Sequence, residues 1–262
     1  MPVNALLSFA ALLLTQSAAG AIGEETRLQT CLDQAATDPA AALVTASQWL
    51  GQRQGETEGA GVSLAQQCLG VAATNLLRWE EAETAFIAAR DARPVDQSEW
   101  RARLGTMAAN AALASGRNAQ ALAHLQLAQA DAALAQDAGL GASIANDRAR
   151  ALVALQRPED AGAALADARL LAPADPQGWL LSATLARRLE NLSEAQSFIL
   201  EASRLSPGDP AVMLEAGLIA ALGGDDDAAR SNWQGLVEGA PDTPQAEIAR
   251  EYLAQLATDP DG

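Results

Sequence analysis

Three successive blocks of the chain carry the same residue types 34 positions apart. The recurring residues are Ala161, Ala195 and Ala229, then Pro173, Pro207 and Pro241, and the small residues Ala149, Ala183 and Gly217. A fixed period of this length is typical of helical repeats. One helix pair is too small to bury its own apolar face, so successive pairs must stack to form a continuous core.

Large and small apolar residues also alternate within each block. They are Leu165, Ile199 and Trp233, followed three residues later by Ala168, Ala202 and Leu236. This spacing places them on one face of a helix. The turns after two of the prolines contain Asp175-Pro176 and Asp209-Pro210. Asp before Pro is typical of a helix start, because Asp caps the first amides and Pro needs no N–H there.

This pattern resembles the tetratricopeptide repeat. One repeat matches it at Trp179, Ala183, Ala195, Ile199, Ala202 and Pro207, and the next at Met213, Gly217, Ala229, Trp233 and Pro241. The resemblance extends over about Glu24 to Ala257 and is weakest near the N-terminus. It implies an all-α, right-handed α-solenoid of stacked antiparallel helix pairs with a C-terminal capping helix. It also implies a concave, peptide-holding groove lined by the first helix of each pair.

The same reading divides the chain into five segments. They are a signal peptide (1–21), a degenerate helix pair with a Gly-rich loop (22–62), two TPR-like repeats of which the second is extended (63–141), three well-phased repeats (142–243), and a capping helix with its tail (244–262). In the extended repeat Gly105 falls out of phase with Ala121 and Leu125. In the capping helix we expect Ile248, Leu253 and Leu256 to face inward.

The charge balance narrows the choice of partners. The chain has 33 acidic and 17 basic residues, a net charge of −16, and all its cationic side chains are arginine. An acidic surface repels phosphate backbones, and no basic stripe is dense enough to overcome this repulsion. We therefore expect a protein or peptide partner and no nucleic acid.

The first residues resemble a secretory leader. Ala5 to Leu14 is an apolar run, and Ser17-Ala18-Ala19 and Ala19-Gly20-Ala21 are small-x-small cleavage patterns. The alternative is a retained anchor, although the run is shorter than the roughly 18 residues that a span needs. We expect an exported, periplasmic protein with no membrane span after cleavage.

The two cysteines, Cys31 and Cys68, lie 37 residues apart, about one helix pair. Equivalent positions in neighbouring repeats face each other, and an exported chain can oxidise its thiols. The spacing therefore favours a disulfide, and two buried free thiols are the alternative. A redox-active pair is disfavoured because the chain has no C-x-x-C motif and no cationic cluster beside either thiol.

Catalytic and metal-binding patterns are sparse. His124 is the single histidine, and its position beside Leu122 and Leu125 predicts a residue at the solvent edge of an ordinary helix. One histidine and two cysteines cannot supply a zinc site. The run from Gly223 to Asp227 lacks the ligand spacing of a calcium loop and instead suits a turn with a helix cap. We predict no catalysis, no metal and no cofactor.

Five tryptophans account for most of the aromatic content, which raises the possibility of a sugar-binding platform. Trp179 and Trp233 fall on core positions of the family pattern, and Trp49 follows the apolar face of its helix, so we interpret these as packing residues. Trp79 and Trp100 are less constrained and are expected to be partly exposed.

The predicted concave wall carries cationic and amide side chains. By projection of the repeat phase, these are Asn75, Arg103, Asn110, Asn146, Arg150, Arg187 and Arg188. Arginine with asparagine can hold a carboxylate or an extended peptide backbone, and arginine does so in bidentate geometry. The alternative is a solvated face with local pairs such as Asp147 with Arg150, which contribute little.

These observations predict a non-catalytic protein- or peptide-binding adaptor that acts through the concave face of a TPR solenoid in the cell envelope. The alternative is a structural scaffold of an envelope assembly, or a self-associating helical protein, in which the groove is unused.

Overall fold

A computed structural model describes residues 23–53 and 55–258, and in this part of the chain thirteen helices follow one another without a strand. The first helix, α1, covers residues 23–37. The others are α2 (Pro39–Gly51), α3 (Ala60–Asn75), α4 (Trp79–Asp91), α5 (Ser98–Ala114), α6 (Asn118–Ala135), α7 (Ala138–Ala154), α8 (Pro158–Leu171), α9 (Pro176–Arg188), α10 (Leu192–Leu205), α11 (Pro210–Leu222), α12 (Asp226–Gly239) and α13 (Pro244–Thr258).

The helices group into two compact units that divide between Leu140 and Gly141. In the first unit, each helix from α2 to α6 packs on the next along the chain. In the second unit, the same holds from α8 to α13, and α11 also contacts α9 and α13. This architecture confirms the predicted all-α fold of stacked antiparallel helix pairs.

The predicted helix boundaries follow from local capping. Asp209 precedes Pro210, and its Oδ1 accepts hydrogen bonds from the amides of Ala211 (2.8 Å) and Val212 (3.1 Å). Asp175 caps α9 in the same way. Helices α8, α10 and α12, each the second helix of its pair, end two residues before the recurring prolines. The reason is that the residue before a proline is held out of the helical region.

One spacing between a small and a large residue recurs in five helix pairs. A small residue in the first helix lies 16 positions before a large residue in the second, and both are buried. The pairs are Gly70 with Phe86, Ala109 with Leu125, Ala149 with Leu165, Ala183 with Ile199, and Gly217 with Trp233. A β-carbon on Gly70 or on Gly217 would overlap the aromatic ring of its partner. Glycine therefore occurs at this position where the partner is Phe or Trp.

The extended repeat keeps this phase through a different residue from the one the sequence suggested. Ala109, fully buried, lies 16 positions before Leu125. Gly105 lies one helical turn earlier, where an added β-carbon would come within 3.2 Å of the Ala128 Cβ. The repeat is longer because α5 and α6 are extended, while their contact has ordinary spacing.

A disulfide between Cys31 in α1 and Cys68 in α3 joins the N-terminal pair to the next pair, with Cα atoms 6.1 Å apart. Both sulfurs lie in a core formed with Ala35, Ala42 and other alanines of α2 and α3. A cross-link in this position joins two first helices, as repeat-to-repeat spacing suggested.

The last helix covers the core through residues that differ in part from those expected. Ala246 and Ala249 are fully buried, and Tyr252 stacks on Trp233 with ring centroids 5.0 Å apart. Leu253 and Leu256 are half-buried against the same core. The expectation for Ile248 was wrong: its side chain is exposed, because alanines one turn apart occupy the inward positions.

Several predicted segments lie wholly or partly outside the described residues. These include the signal peptide (1–21), the end of the tail (259–262) and residue 54 of the Gly-rich loop. The flanks of that loop are helical, since Gly51 ends α2 and Gly61 belongs to α3. Within residues 23–53 and 55–258, no helix combines the length and apolarity needed to cross a bilayer.

Candidate functional site

In the second unit, an apolar groove opens between α7, α8 and α9. Leu165 of α8 forms its floor, and side chains of the two first helices form its walls. The groove has a volume of about 320 Å³. Its lining residues are Ala149, Arg150, Val153, Ala154, Leu165, Leu181, Thr184, Leu185 and Arg188. We call this the arginine groove, because Arg150 and Arg188 contribute the only charged side chains of its lining.

A second groove occupies the equivalent place in the first unit. Its floor is Phe86, which holds the repeat position of Leu165, and its volume is about 260 Å³. The lining residues are Val71, Thr74, Trp79, Phe86, Met107, Asn110 and Ala111. We call it the asparagine groove. Asn110 occupies the repeat position of Thr184 in the arginine groove, since each lies one residue after the small residue of its first helix.

The two arginines of the arginine groove differ in their partners. Arg150 Nη1 donates to Asp147 Oδ1 at 2.8 Å, while about half of its side chain stays exposed. Arg188 is exposed and forms no ion pair or hydrogen bond with any residue of the described part of the chain. The groove thus presents a guanidinium without a counter-ion next to an apolar floor, in a chain whose net charge is −16.

Arg187, the residue before Arg188, forms an ion pair within the fold. Its Nε donates to Glu215 Oε1 at 2.7 Å and its Nη2 donates to Glu215 Oε2 at 3.2 Å. The Glu215 side chain is 9% exposed and the Arg187 side chain 20% exposed. This bidentate pair joins α9 to α11 and leaves Arg187 little freedom to bind a ligand.

Three other residues of the predicted wall are either bonded to other residues of the fold or buried. Asn75 Nδ2 donates to the carbonyl of Ala35 at the end of α1 (2.9 Å). Arg103 donates to Glu99 Oε1 at 2.8 Å and lies 3.6 Å from Asp137 Oδ2. Asn146 is 4% exposed. Of the seven candidates, Arg150 and Arg188 meet in one groove, Asn110 lines the other, and four lie elsewhere.

His124, predicted at the solvent edge of its helix, is partly buried, with 18% of its side chain exposed. Its Nε2 lies 2.8 Å from Glu83 Oε1. Arg117 Nη2 lies 2.5 Å from the other oxygen of the same carboxylate. The three side chains link α6 to α4 across neighbouring repeats, an arrangement that accounts for the histidine as a packing contact.

The tryptophans separate by environment. Trp49 and Trp233 are buried, whereas Trp179 is half-buried although it fits a core position of the repeat pattern. Trp179 packs at 6.1 Å from Phe198, and the guanidinium of Arg169 lies 5.3 Å from its ring centre. Trp100 is 47% exposed, as expected.

Arg169 was missed by sequence reasoning. Its guanidinium lies 4.4 Å from the Phe198 ring centre, and it hydrogen-bonds to Ser182. Burial lowers the pKa of the Arg169 guanidinium, and the charge of Glu194 opposes this shift. Arg169 and Leu165 line a neighbouring groove together, and the contacts with Ser182 and Phe198 tie α8 to α9 and α10. The sequence carries no local signal for it, because its partners come from two other helices.

The run from Gly223 to Asp227 forms the turn and cap that its spacing suggested. Asp225 Oδ1 accepts a hydrogen bond from the amide of Ala228 (2.9 Å), and Gly224 has a φ of 79°. Over residues 23–53 and 55–258, no three His, Cys, Asp or Glu side chains cluster as metal ligands would.

Comparison with solved structures gives matches to helical-repeat proteins. TTC0263, a thermophilic TPR protein of Thermus thermophilus, is 19% identical and superposes with a TM-score of 0.55 over 74% of this chain and 98% of its own. The chain has the tetratricopeptide-repeat fold. PilW, a widely conserved type IV pilus biogenesis factor, is 15% identical, with a TM-score of 0.66 over 87% of this chain and 98% of PilW.

A third similar structure is YrrB, a TPR protein with an unusual peptide-binding site. It is 16% identical, with a TM-score of 0.50 over 79% of this TPR chain and 97% of YrrB. At the level of sequence, neither the protein-family models nor the curated proteins match the chain.

Proposed function

We propose that this TPR protein is a non-catalytic adaptor of the cell envelope that binds a protein or peptide through the first-helix face of its repeats. The observation that carries the proposal is the arginine groove, where the unpaired Arg188 lies beside an apolar floor. An equivalent apolar groove recurs in the first unit, so the feature follows from the repeat.

The chemistry of the arginine groove suits an apolar side chain next to a carboxylate. Leu165, Leu181 and Leu185 would bury the apolar group. Arg188, with Arg150 beside it, would bind the carboxylate, which arginine holds through two parallel hydrogen bonds. A C-terminal apolar residue or an apolar-acidic pair within a chain would satisfy both requirements.

The asparagine groove would bind a different group. Its lining is neutral, and Asn110 is its amide donor and acceptor. An amide side chain at a groove edge can bond the backbone of an extended peptide without selecting for charge. We therefore expect this groove to accept an apolar side chain of an uncharged segment.

Two features of the chain support the envelope location. The Cys31–Cys68 disulfide requires an oxidising compartment to persist, and the periplasm provides one. The predicted signal peptide at residues 1–21 would direct the chain there. The similarity to PilW, itself a pilus biogenesis factor, agrees with this location.

The alternative function is a structural scaffold whose grooves are unused. One observation favours it: several large apolar side chains on second helices are exposed, including Leu134 (69%), Leu170 (82%) and Leu200 (60%). These lie on faces distinct from both grooves and offer surface for contacts within an assembly.

The proposal is tested by cross-linked capture of envelope proteins with the purified native chain and with two charge-reversed variants. Arg188→Glu changes the arginine groove, and Arg230→Glu makes the same charge change on the exposed side of α12. We expect a partner that is captured by the native chain and by Arg230→Glu, and lost with Arg188→Glu.

The captured sequence then identifies the recognised segment. A synthetic peptide ending in an apolar residue should bind more weakly when its terminal carboxylate is amidated, and binding should weaken as salt increases. Identical capture by all three proteins would rule out the arginine groove and favour the scaffold.

A further inference from the structure

The outer face of α6 is apolar along its length. Ala123, Leu127, Ala130 and Leu134 lie on one side of the helix, opposite the buried residues Ala121, Leu125, Ala128 and Ala132. All four outer residues are exposed, Leu127 by 49% and Leu134 by 69%. We call these four residues the α6 outer face.

No charged side chain interrupts this surface. The ionisable residues of α6 are His124 and Asp131, and both are engaged with neighbouring helices. His124 contacts Glu83, and Asp131 is 5% exposed and accepts from Arg90 Nε at 2.9 Å. The remaining exposed residues of α6 are alanine and glutamine.

The later second helices differ, whereas α2, like α6, carries no acidic or basic residue on an exposed position. The exposed positions of α8, α10 and α12 include Asp167, Glu194 and Glu238 respectively. In a chain with a net charge of −16, most of the surface would repel another copy of the same protein. The α6 outer face is free of that repulsion at the point of contact.

The spacing of the four residues makes the face complementary to itself. The intervals are 4, 3 and 4 residues, as in the seam of a coiled coil. When two such helices run antiparallel about a two-fold axis between positions 127 and 130, Ala123 lies opposite Leu134 of the second copy. Leu127 then lies opposite Ala130. Every large residue meets a small one, which is the requirement for close packing across an isologous interface.

We propose that the α6 outer face is a homodimer interface in which two copies pair antiparallel through α6. The helix has 18 residues and is about 27 Å long, so its face alone buries less than the roughly 1,200 Å² of a standard stable interface. The dimer is therefore weak and depends on concentration. Raising salt strengthens it, because salt screens the repulsion between two acidic copies.

The test is sedimentation equilibrium of the purified chain over a range of concentrations, at low salt and at about 0.3 M salt. The expected result is a weight-average mass that rises toward twice the monomer mass and rises further at the higher salt. A chain that stays monomeric under all these conditions would overturn the proposal and leave the face to a helix of another protein.

Two matched substitutions assign the interface. Leu127→Glu should raise the dimer dissociation constant by about tenfold or more, because each dimer would bury two unpaired carboxylates. Leu200→Glu, at an exposed leucine of α10, should leave it within about twofold. Equal effects of the two substitutions would contradict the assignment to α6. Circular dichroism should show both variants folded, since both leucines are exposed.

Cross-linking then tests the antiparallel arrangement. Both native cysteines are paired with each other, so Leu127→Cys and Ala130→Cys each introduce a single reactive thiol. Mixing the two variants under mild oxidation should favour the mixed disulfide over the two symmetric ones. A preference for symmetric disulfides would overturn the antiparallel pairing. Salt also separates this proposal from groove binding, since capture through Arg188 weakens as salt rises.

Discussion

A β-carbon on Gly217 would overlap the indole ring of Trp233, the residue 16 positions later in the paired helix. In the two preceding repeats the same positions are Ala149 with Leu165 and Ala183 with Ile199. The summed size of each pair is thus roughly kept while its members change. The glycine is a consequence of the tryptophan.

Gly217→Ala should lower the free energy of unfolding by about 1–3 kcal/mol, because overpacking outweighs the gain in helix propensity of about 1 kcal/mol. Gly162→Ala is the matched control in α8, where the nearest atom to an added β-carbon is 3.9 Å away, and it should not destabilise. The double variant Gly217→Ala with Trp233→Ile recreates the Ala183–Ile199 pair and should be more stable than the two single effects predict. Urea denaturation of Gly217→Ala, Trp233→Ile, their double variant and Gly162→Ala measures these effects. Strict additivity of the two single effects would contradict the size coupling.

Arg187 and Glu215 should behave as a structural pair. Arg187→Met leaves the nearly buried Glu215 without its partner and should destabilise the chain by about 3 kcal/mol. Arg187→Met with Glu215→Leu removes both charges and should return stability to within about 1 kcal/mol of the native value. Arg188→Met, at the exposed neighbour, should change stability by less than about 0.5 kcal/mol. Thermal or urea unfolding distinguishes these outcomes, and a harmless Arg187→Met would show that the pair contributes nothing.

The Cys31–Cys68 disulfide should stabilise the N-terminal repeats. The chain-entropy model gives about 4 kcal/mol for a closed loop of 37 residues. The double variant Cys31→Ala with Cys68→Ala should therefore unfold at lower urea concentration than the native protein. Adding a thiol reductant should shift the native protein toward the variant and leave the variant unchanged. An unfolding midpoint that ignores both changes would refute a stabilising role.

Asp225 should act as a helix cap. Asp225→Ala removes the acceptor for the Ala228 amide and should cost about 1 kcal/mol of unfolding free energy. Asp242→Ala is the control, because it removes the same charge from an exposed turn residue. Calcium should leave the native unfolding midpoint unchanged relative to a chelator. A calcium-dependent increase that Asp225→Ala abolishes would mean that the run from Gly223 to Asp227 binds the ion.

The fold was predictable because its determinants are periodic. The 34-residue recurrence of alanine and proline specifies which residues pack, and the Asp-Pro turns specify where helices begin. The extended repeat has the same phase as the others. Its small residue, Ala109, cannot be told apart from the neighbouring alanines in the sequence, whereas Gly105, one helical turn earlier, stands out. In a helix that is mostly alanine, buried and exposed positions carry the same residue type. The sequence then does not show which face of the helix is buried.

The candidate site was predictable only in part, for a physical reason. A helix phase shows which way Arg187 and Arg188 point, but not which side chain lies opposite in another repeat. Glu215 neutralises the first, 28 positions away, and the second has no such neighbour in the described residues. The apolar half of the arginine groove follows the repeat period through Leu165 and could be read from it. The pairing of individual charges could not.

The first and the last helix are held in place by different interactions. The first helix is joined covalently to α3, whereas α13 is held by buried alanines and by the stacking of Tyr252 on Trp233. Helical repeats open from their ends, so an oxidised chain is protected against stepwise peeling at one terminus only. Amide hydrogens of α13 should exchange before those of α1, and a processive protease that starts at the C-terminus would find the protein easier to unravel than one that starts at the other end. The oxidised protein should therefore unfold more readily from its C-terminal end than from its N-terminal end, and reduction of the disulfide would remove this difference.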